Sequence, residues 1–260
     1  MDAYTIFAEI YDEFMGNIPY EKWCDNIHGI LSDNGIDGGI VAELGCGTGT
    51  VTRLMSDKGY EMIGIDNSED MLSAAGEEND GSILYLLQDM RELELYGTVA
   101  AVISLCDSMN YLVNDGELEA VLRKANLYLE KGGLFIFDMK TAYCYESILA
   151  DSVQYEYNEE CALIWENHFD KESSMHTYEL TIFMACDEGD DGGPLYERFL
   201  ETHFQRAYSV DEVKRAIDSS GMELVGIIDA DTLSEPSDTS QRLYYIVRET
   251  YQDNKYYMES

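Results

Sequence analysis

Five short apolar runs, separated by amphipathic stretches of helical period, constrain this chain more than any other feature. They are "IVAEL" (40–44), "YEMIGID" (60–66), "SILYLLQD" (82–89), "TVAAVISL" (98–105) and "LFIFDM" (134–139). Each has the length and the Val, Ile and Leu content of a buried strand. Between them, "VTRLMSDKG" reads as a helix stopped by Gly59, and Asn67 or Ser68 caps a helix with Glu69 and Asp70 in its first turn. Asn114 and Glu117 have the spacing of a capping box. They open a helix through Leu118, Val121, Leu122, Ala125 and Leu129 that ends at Gly132-Gly133. Strands without a polar face, alternating with helices, require a parallel sheet covered on both sides.

The flanks read differently. Residues 3–31 have helical spacing interrupted at Pro19. Beyond Tyr143 the period changes to two, in "VQYEYN", "ALIWENHF", "HTYELTIFMA" and "YERFLETHFQRAY". This predicts a small antiparallel sheet inserted into the α/β domain. Ser209 and Glu212 then form a capping box for "VDEVKRAIDSSG", and "MELVGIIDA" and "RLYYIVRE" are the last two strands. The expected organisation is an α/β domain from 1–140 and 209–250, with an insert at 141–208.

The turn after the first strand, "ELGCGTG", crowds Gly45, Gly47 and Gly49 at alternate positions. Such a turn at the carboxyl edge of a parallel sheet is where open α/β sheets bind ligands, with backbone N–H groups facing an anion or a polar group. The spacing is G-x-G-x-G, not the G-x-G-x-x-G of dinucleotide enzymes. Asp66 ends the second strand, where a carboxylate is able to accept both hydroxyls of a ribose or, alternatively, to cap the following helix. Asp89 ends the third, where it is either an acceptor able to bind the amine of adenine, with Met90 packed on the ring, or a polar strand end facing water.

Charge and cysteine usage narrow the partners. Acidic residues number 52 against 16 basic ones, a net charge of −36. A polyanion is repelled over long range, which argues against nucleic acid and anionic membrane as partners. The six cysteines are scattered without a C-x-x-C pair, and the four histidines show no metal-ligand spacing with them. They fit small core residues in a reduced, cytoplasmic setting. No membrane span or secretion signal is visible.

"ELGCGTG", "IGIDNSEDML", "LLQDM", "AVISLCDSMNYL" and "LEKGGLFIFDM", taken together, resemble the successive motifs of class I S-adenosylmethionine-dependent methyltransferases. The opening "FAEIYDEFM", with "PYEKW", resembles a bacterial small-molecule branch that includes amino-sugar N-methyltransferases. The resemblance covers about three-quarters of the chain. It implies a seven-stranded sheet in the order 3-2-1-4-5-7-6 with strand 7 antiparallel. It further implies S-adenosylmethionine as cofactor, S-adenosylhomocysteine as product, and a small-molecule acceptor methylated on nitrogen or oxygen. Carried over by position, Glu43, Gly45, Cys46 and Gly47 line the methionine end, and Asp66, Asn67 and Met71 surround the ribose. Asp89 and Met90 meet the adenine, Leu105 approaches the amino group, and Tyr11, Tyr20 and Trp23 close over the cofactor.

Methyl transfer from a sulfonium chiefly requires alignment, and an amine nucleophile must also lose a proton. His203, Tyr4 and Asp107 are the candidates for proton acceptor or acceptor ligand. His168, Trp165 and Arg206 carry weaker claims. Two other readings stay open: a module that binds S-adenosylmethionine without catalysis, and a nicotinamide-dependent oxidoreductase. The expected assembly is a monomer or a homodimer.

Overall fold

The structure is a computed structural model, and it describes residues 14, 16, 18–158, 160–188, 194–250 and 255. Helix α1 (Tyr20–Asp33) precedes strand β1 (Ile40–Leu44), α2 (Thr50–Asp57), β2 (Glu61–Asp66), α3 (Glu69–Glu77), β3 (Leu84–Leu87) and β4 (Val99–Ser104). Then come α4 (Glu117–Tyr128) and β5 (Leu129–Lys140), followed by the insert strands β6 (Val153–Tyr157), β7 (Cys161–Asp170), β8 (Met175–Glu188) and β9 (Pro194–Arg206). Helix α5 (Val210–Ser220), β10 (Met222–Asp229) and β11 (Arg242–Glu249) complete the order.

The main sheet has the order β10-β11-β5-β4-β1-β2-β3. Counting its strands in sequence, this is 3-2-1-4-5-7-6, as the resemblance implies, and β11 runs antiparallel to both neighbours. Alternation along β5 shows why both faces are covered. Phe135, Phe137 and Met139 pack with Leu118, Val121 and Val213 on one side. Leu134 and Ile136 pack with Trp23, Ile27 and Met55 on the other. Helix α1 contributes because Trp23, Ile27 and Leu31 recur on one stripe of a 3.6-residue period.

Two boundaries differ from the sequence reading. Strand β5 begins at Leu129, five residues before the apolar run, because Leu129 pairs with Val99 before the ladder shifts to Ala101–Leu134. Helix α4 is capped by Gly116 in the left-handed region, at φ 86°. The Glu117 carboxylate does accept from the Asn114 N–H, at 2.9 Å, and from its amide, at 3.0 Å. The Asn114 side-chain oxygen takes no helix N–H in return, so no reciprocal box forms. At α5 the reciprocal box is complete: Ser209 Oγ accepts from the Glu212 N–H and Glu212 accepts from the Ser209 N–H. Replacing Ser209 by Ala is expected to lower stability by about 1 kcal/mol, read as a shift in the urea midpoint at constant slope.

Strands β6 to β9 form a separate antiparallel sheet in sequence order. Phe14, Cys161, Leu163, Leu180 and Ile182 give it a core of its own. Buried Asn110, just after β4, fastens it to the main sheet. Its amide donates to the carbonyls of Lys140 (3.3 Å) and Arg206 (2.8 Å), and its oxygen accepts from the Lys140 N–H (2.9 Å). The insert thus lies over the carboxyl ends of β4 and β5.

Candidate active site

A crevice of about 210 Å³ opens at the carboxyl ends of β1, β2 and β3. Its floor is the glycine turn, where Gly45, Gly47 and Gly49 have φ of 71°, 54° and 79°. A Cβ on Gly45 would fall 2.6 Å from Ser108 Oγ, so this glycine is required by the protein's own packing. A Cβ on Gly47 would meet nothing nearer than Met71 Sδ at 3.9 Å, with both residues lining the crevice. Backbone at Gly47 therefore faces open ligand space.

Three carboxylates border this space. Asp66 accepts from the Gly47 N–H at 2.8 Å and from the Ser68 N–H at 2.9 Å, while burial raises its pKa. Glu43 accepts from Thr52 Oγ1 at 2.5 Å; burial, opposed by this bond, pushes its carboxyl up to about 8. Asp89 is clasped by Arg91, whose Nε donates to its two oxygens at 2.9 and 3.0 Å, and this contact lowers its pKa. Arg91 also reaches Glu117 at the start of α4.

A second cavity of about 580 Å³ lies between the main sheet and the insert. Tyr20, Cys106 and Tyr111 belong to the walls of both spaces. The chamber adds Trp23 from α1, Trp165 and Tyr178 from the insert, and Lys140, Arg242, Gln205 and His203. Backbone at the join is unusual: Cys106 and Asp107 have φ of 59° and 56°, a region that β-carbon-bearing residues seldom occupy. The Asp107 N–H donates to Asp138 Oδ1 at 2.7 Å, which holds this turn in place.

Beneath the chamber runs a buried network built from the turn after β4 and from strands β5, β8, β9 and β11. Asp107 Oδ1 accepts from Arg242 at 2.7 Å, and Oδ2 accepts from Lys140 at 3.0 Å and Gln205 at 2.6 Å. Burial alone would raise this carboxyl; Lys140 and Arg242 overcome it and hold it at about 2. Arg242 also binds Asp138 at 2.5 Å and lies over the Trp23 ring, 4.9 Å from its centroid. Lys140 donates to the Tyr178 hydroxyl, which donates on to Gln205. Higher on β9, His203 Nε2 stands 3.3 Å from Glu201 Oε2, both side chains buried, and its ring meets Tyr111 edge-on at 6.1 Å.

Among the expected cofactor residues, Tyr20, Glu43, Gly45, Cys46, Gly47, Asp66, Asn67, Met71, Asp89, Met90 and Leu105 all line the crevice. Trp23 lies in the chamber wall instead. Tyr4 and Tyr11 fall outside the described residues. His203 and Asp107 both line the chamber, whereas His168 is exposed and pairs with Asp151. Arg206 is spent on Asp115 and Glu212. The sequence reading missed Arg91, Glu201 and the network of Lys140, Asp138 and Arg242. Glu201 alone had a local signal, since residues two apart on a strand share a face.

Known proteins give this geometry a context. The profile of the methyltransferase domain family matches residues 41–133, from β1 into β5. Over 245 residues the chain is 32% identical to YqeM of Bacillus subtilis (strain 168), which carries a provisional methyltransferase name; the match covers 93% of this chain and 95% of that protein. The chain belongs to the S-adenosylmethionine-dependent methyltransferases. A crystal structure of such a methyltransferase from Clostridium acetobutylicum ATCC 824 shares its fold, with TM-score 0.81 and 24% identity over 95% of this chain and 99% of that one. Half of this methyltransferase (50%, and 56% of the relative) is also 28% identical to a dTDP-3-amino-3,4,6-trideoxy-alpha-D-glucopyranose N,N-dimethyltransferase of Streptomyces venezuelae. The glycine turn and the fitted carboxylates suit the methyltransferase cofactor: open backbone at Gly47, and acceptors at the ends of successive strands.

Proposed function

We propose that this methyltransferase transfers a methyl group to the amine or hydroxyl of a small molecule held in the chamber. The observation that carries the reading is the wall shared by crevice and chamber at Tyr20, Cys106 and Tyr111. Bound S-adenosylmethionine supplies an electrophilic methyl on a positively charged sulfur. Gly47 backbone and Glu43 would hold its amino-acid end, Asp66 its ribose, and Asp89 with Met90 its adenine.

The residues of the chain supply alignment and proton management. Walls of Tyr20, Tyr111 and Trp165 exclude water and orient the acceptor, so that proximity provides most of the rate. His203 is assigned as the group that takes the acceptor's proton. Asp107 is assigned the anchoring of Lys140 and Arg242. Its two oxygens are already occupied, and a carboxylate held at about 2 is too weak a base for an ammonium.

His203→Gln is expected to lower kcat by about a hundredfold or more while leaving S-adenosylhomocysteine affinity within about twofold. Methyl transfer from labelled S-adenosylmethionine to a panel of amines and hydroxylated metabolites reads the first quantity, and calorimetry the second. Unchanged kcat would remove His203 from proton transfer. Failure of any acceptor in a broad panel to take label, with the cofactor bound, would favour the reading as a non-catalytic module.

A further inference from the structure

The chamber's charges point to the class of acceptor. Among the described residues its lining carries two cations, Lys140 and Arg242, each neutralised from within the protein. Lys140 lies between Asp107 and the Tyr178 hydroxyl, and the two guanidinium ends of Arg242 bind Asp107 and Asp138. Further carboxylates stand close by: Glu156, on the exposed strand β6, lines the chamber, and Glu201 is buried behind the lining, beside His203. Residues 1–17 add no Lys or Arg to the chain, and their acids are Asp2, Glu9, Asp12 and Glu13. A phosphate or carboxylate entering here would lose its hydration in exchange for cations already committed elsewhere, a costly transfer. The field of a chain with net charge −36 opposes its approach as well.

A cation meets the opposite situation. Both tryptophans of the chain, Trp23 and Trp165, line this chamber, together with Tyr20, Tyr111, Tyr155 and Tyr178. Aromatic walls attract an ammonium through their ring faces and pack against an apolar body. Negative potential raises the local concentration of cations at the rim.

We propose that the acceptor is an organic amine with an apolar or aromatic body, arriving as its ammonium and carrying no phosphate or carboxylate. This rests on the chamber being the acceptor site. It sets the substrate class apart from the dTDP-linked amino sugar that names the Streptomyces venezuelae relative. The transfer balances as follows. The ammonium gives one proton to His203, and the freed nitrogen lone pair forms the new N–CH3 bond. The S–CH3 electron pair stays on sulfur, leaving a neutral thioether and a methylated ammonium, and His203 returns its proton to solvent.

The test is calorimetric titration of the protein, saturated with S-adenosylhomocysteine, using three probes. Tyramine and para-hydroxyphenylpropionate share a ring and a tether and differ in the sign of the end group; dTDP-glucosamine supplies the nucleotide-linked arm. Tyramine is expected to bind at least about tenfold more tightly than either anion, and to weaken as NaCl rises from about 0.05 to about 0.5 M. Glu156→Arg, at an exposed rim position, is expected to weaken tyramine and strengthen para-hydroxyphenylpropionate. Equal or tighter binding of either anion, or no binding of tyramine, would overturn the proposal. Lack of S-adenosylhomocysteine binding would instead strike the cofactor reading on which it rests.

Discussion

Asp107→Ala is expected to destabilise the fold by about 3–5 kcal/mol, the scale seen when one partner of a buried ion pair is removed. Lys140 and Arg242 would be left buried, with 18% and 13% side-chain exposure, and Gln205 would lose its acceptor. The effect has a pH signature. A carboxyl held at about 2, against a usual value of 3.8, contributes stability that is fully present above 3.8 and lost as pH falls through 2. Its size is about 2 kcal/mol. Asp138, raised by burial, titrates in the opposite sense and trims this gain. Urea unfolding at pH 7 and near pH 3 checks both statements. A variant within about 1 kcal/mol of the parent would show that the cations find other partners.

Asp66→Ala is expected to weaken S-adenosylhomocysteine binding by about 1.5–3 kcal/mol, the worth of hydrogen bonds to a charged group, which is roughly tenfold to a hundredfold in Kd. The variant also frees the Gly47 and Ser68 N–H groups that Asp66 now holds, so the glycine turn loses a brace on the ligand side. Asp66→Asn separates the two contributions, because it keeps one acceptor for the backbone and removes the charge offered to the ribose. Calorimetry reads both variants, and parental affinity in the alanine variant would remove Asp66 from the site.

The sheet was legible because its signals are local. Apolar runs, helical stripes and the Ser209–Glu212 box each lie within a few residues, and together they specify alternation and hence topology. The crevice was legible for a related reason: Glu43, Gly47, Asp66 and Asp89 sit at or just beyond the ends of consecutive strands, and parallel pairing brings those ends together. The glycines carried a mixed message. Gly45 and Gly49 are required by Ser108 and Tyr85 of the protein itself, and only Gly47 turns open backbone toward the crevice. The ionic network had no local signal at all. Asp107 reaches Asp138 and Lys140 because β4 and β5 pair in parallel, and Arg242 joins them because β11 returns antiparallel beside β5, opposite Lys140. The left-handed turn at Cys106 and Asp107 was likewise hidden, because neither residue is glycine and the Asp138 carboxylate that steadies it lies thirty-one positions on.

The most direct test of the account is a crystal structure of the protein with S-adenosylhomocysteine. Its sulfur is expected to face the opening between Tyr20, Cys106 and Tyr111, with the ribose hydroxyls on Asp66 and the chamber in line beyond. A ligand whose sulfur points away from the chamber, or one lodged outside the glycine crevice, would contradict it.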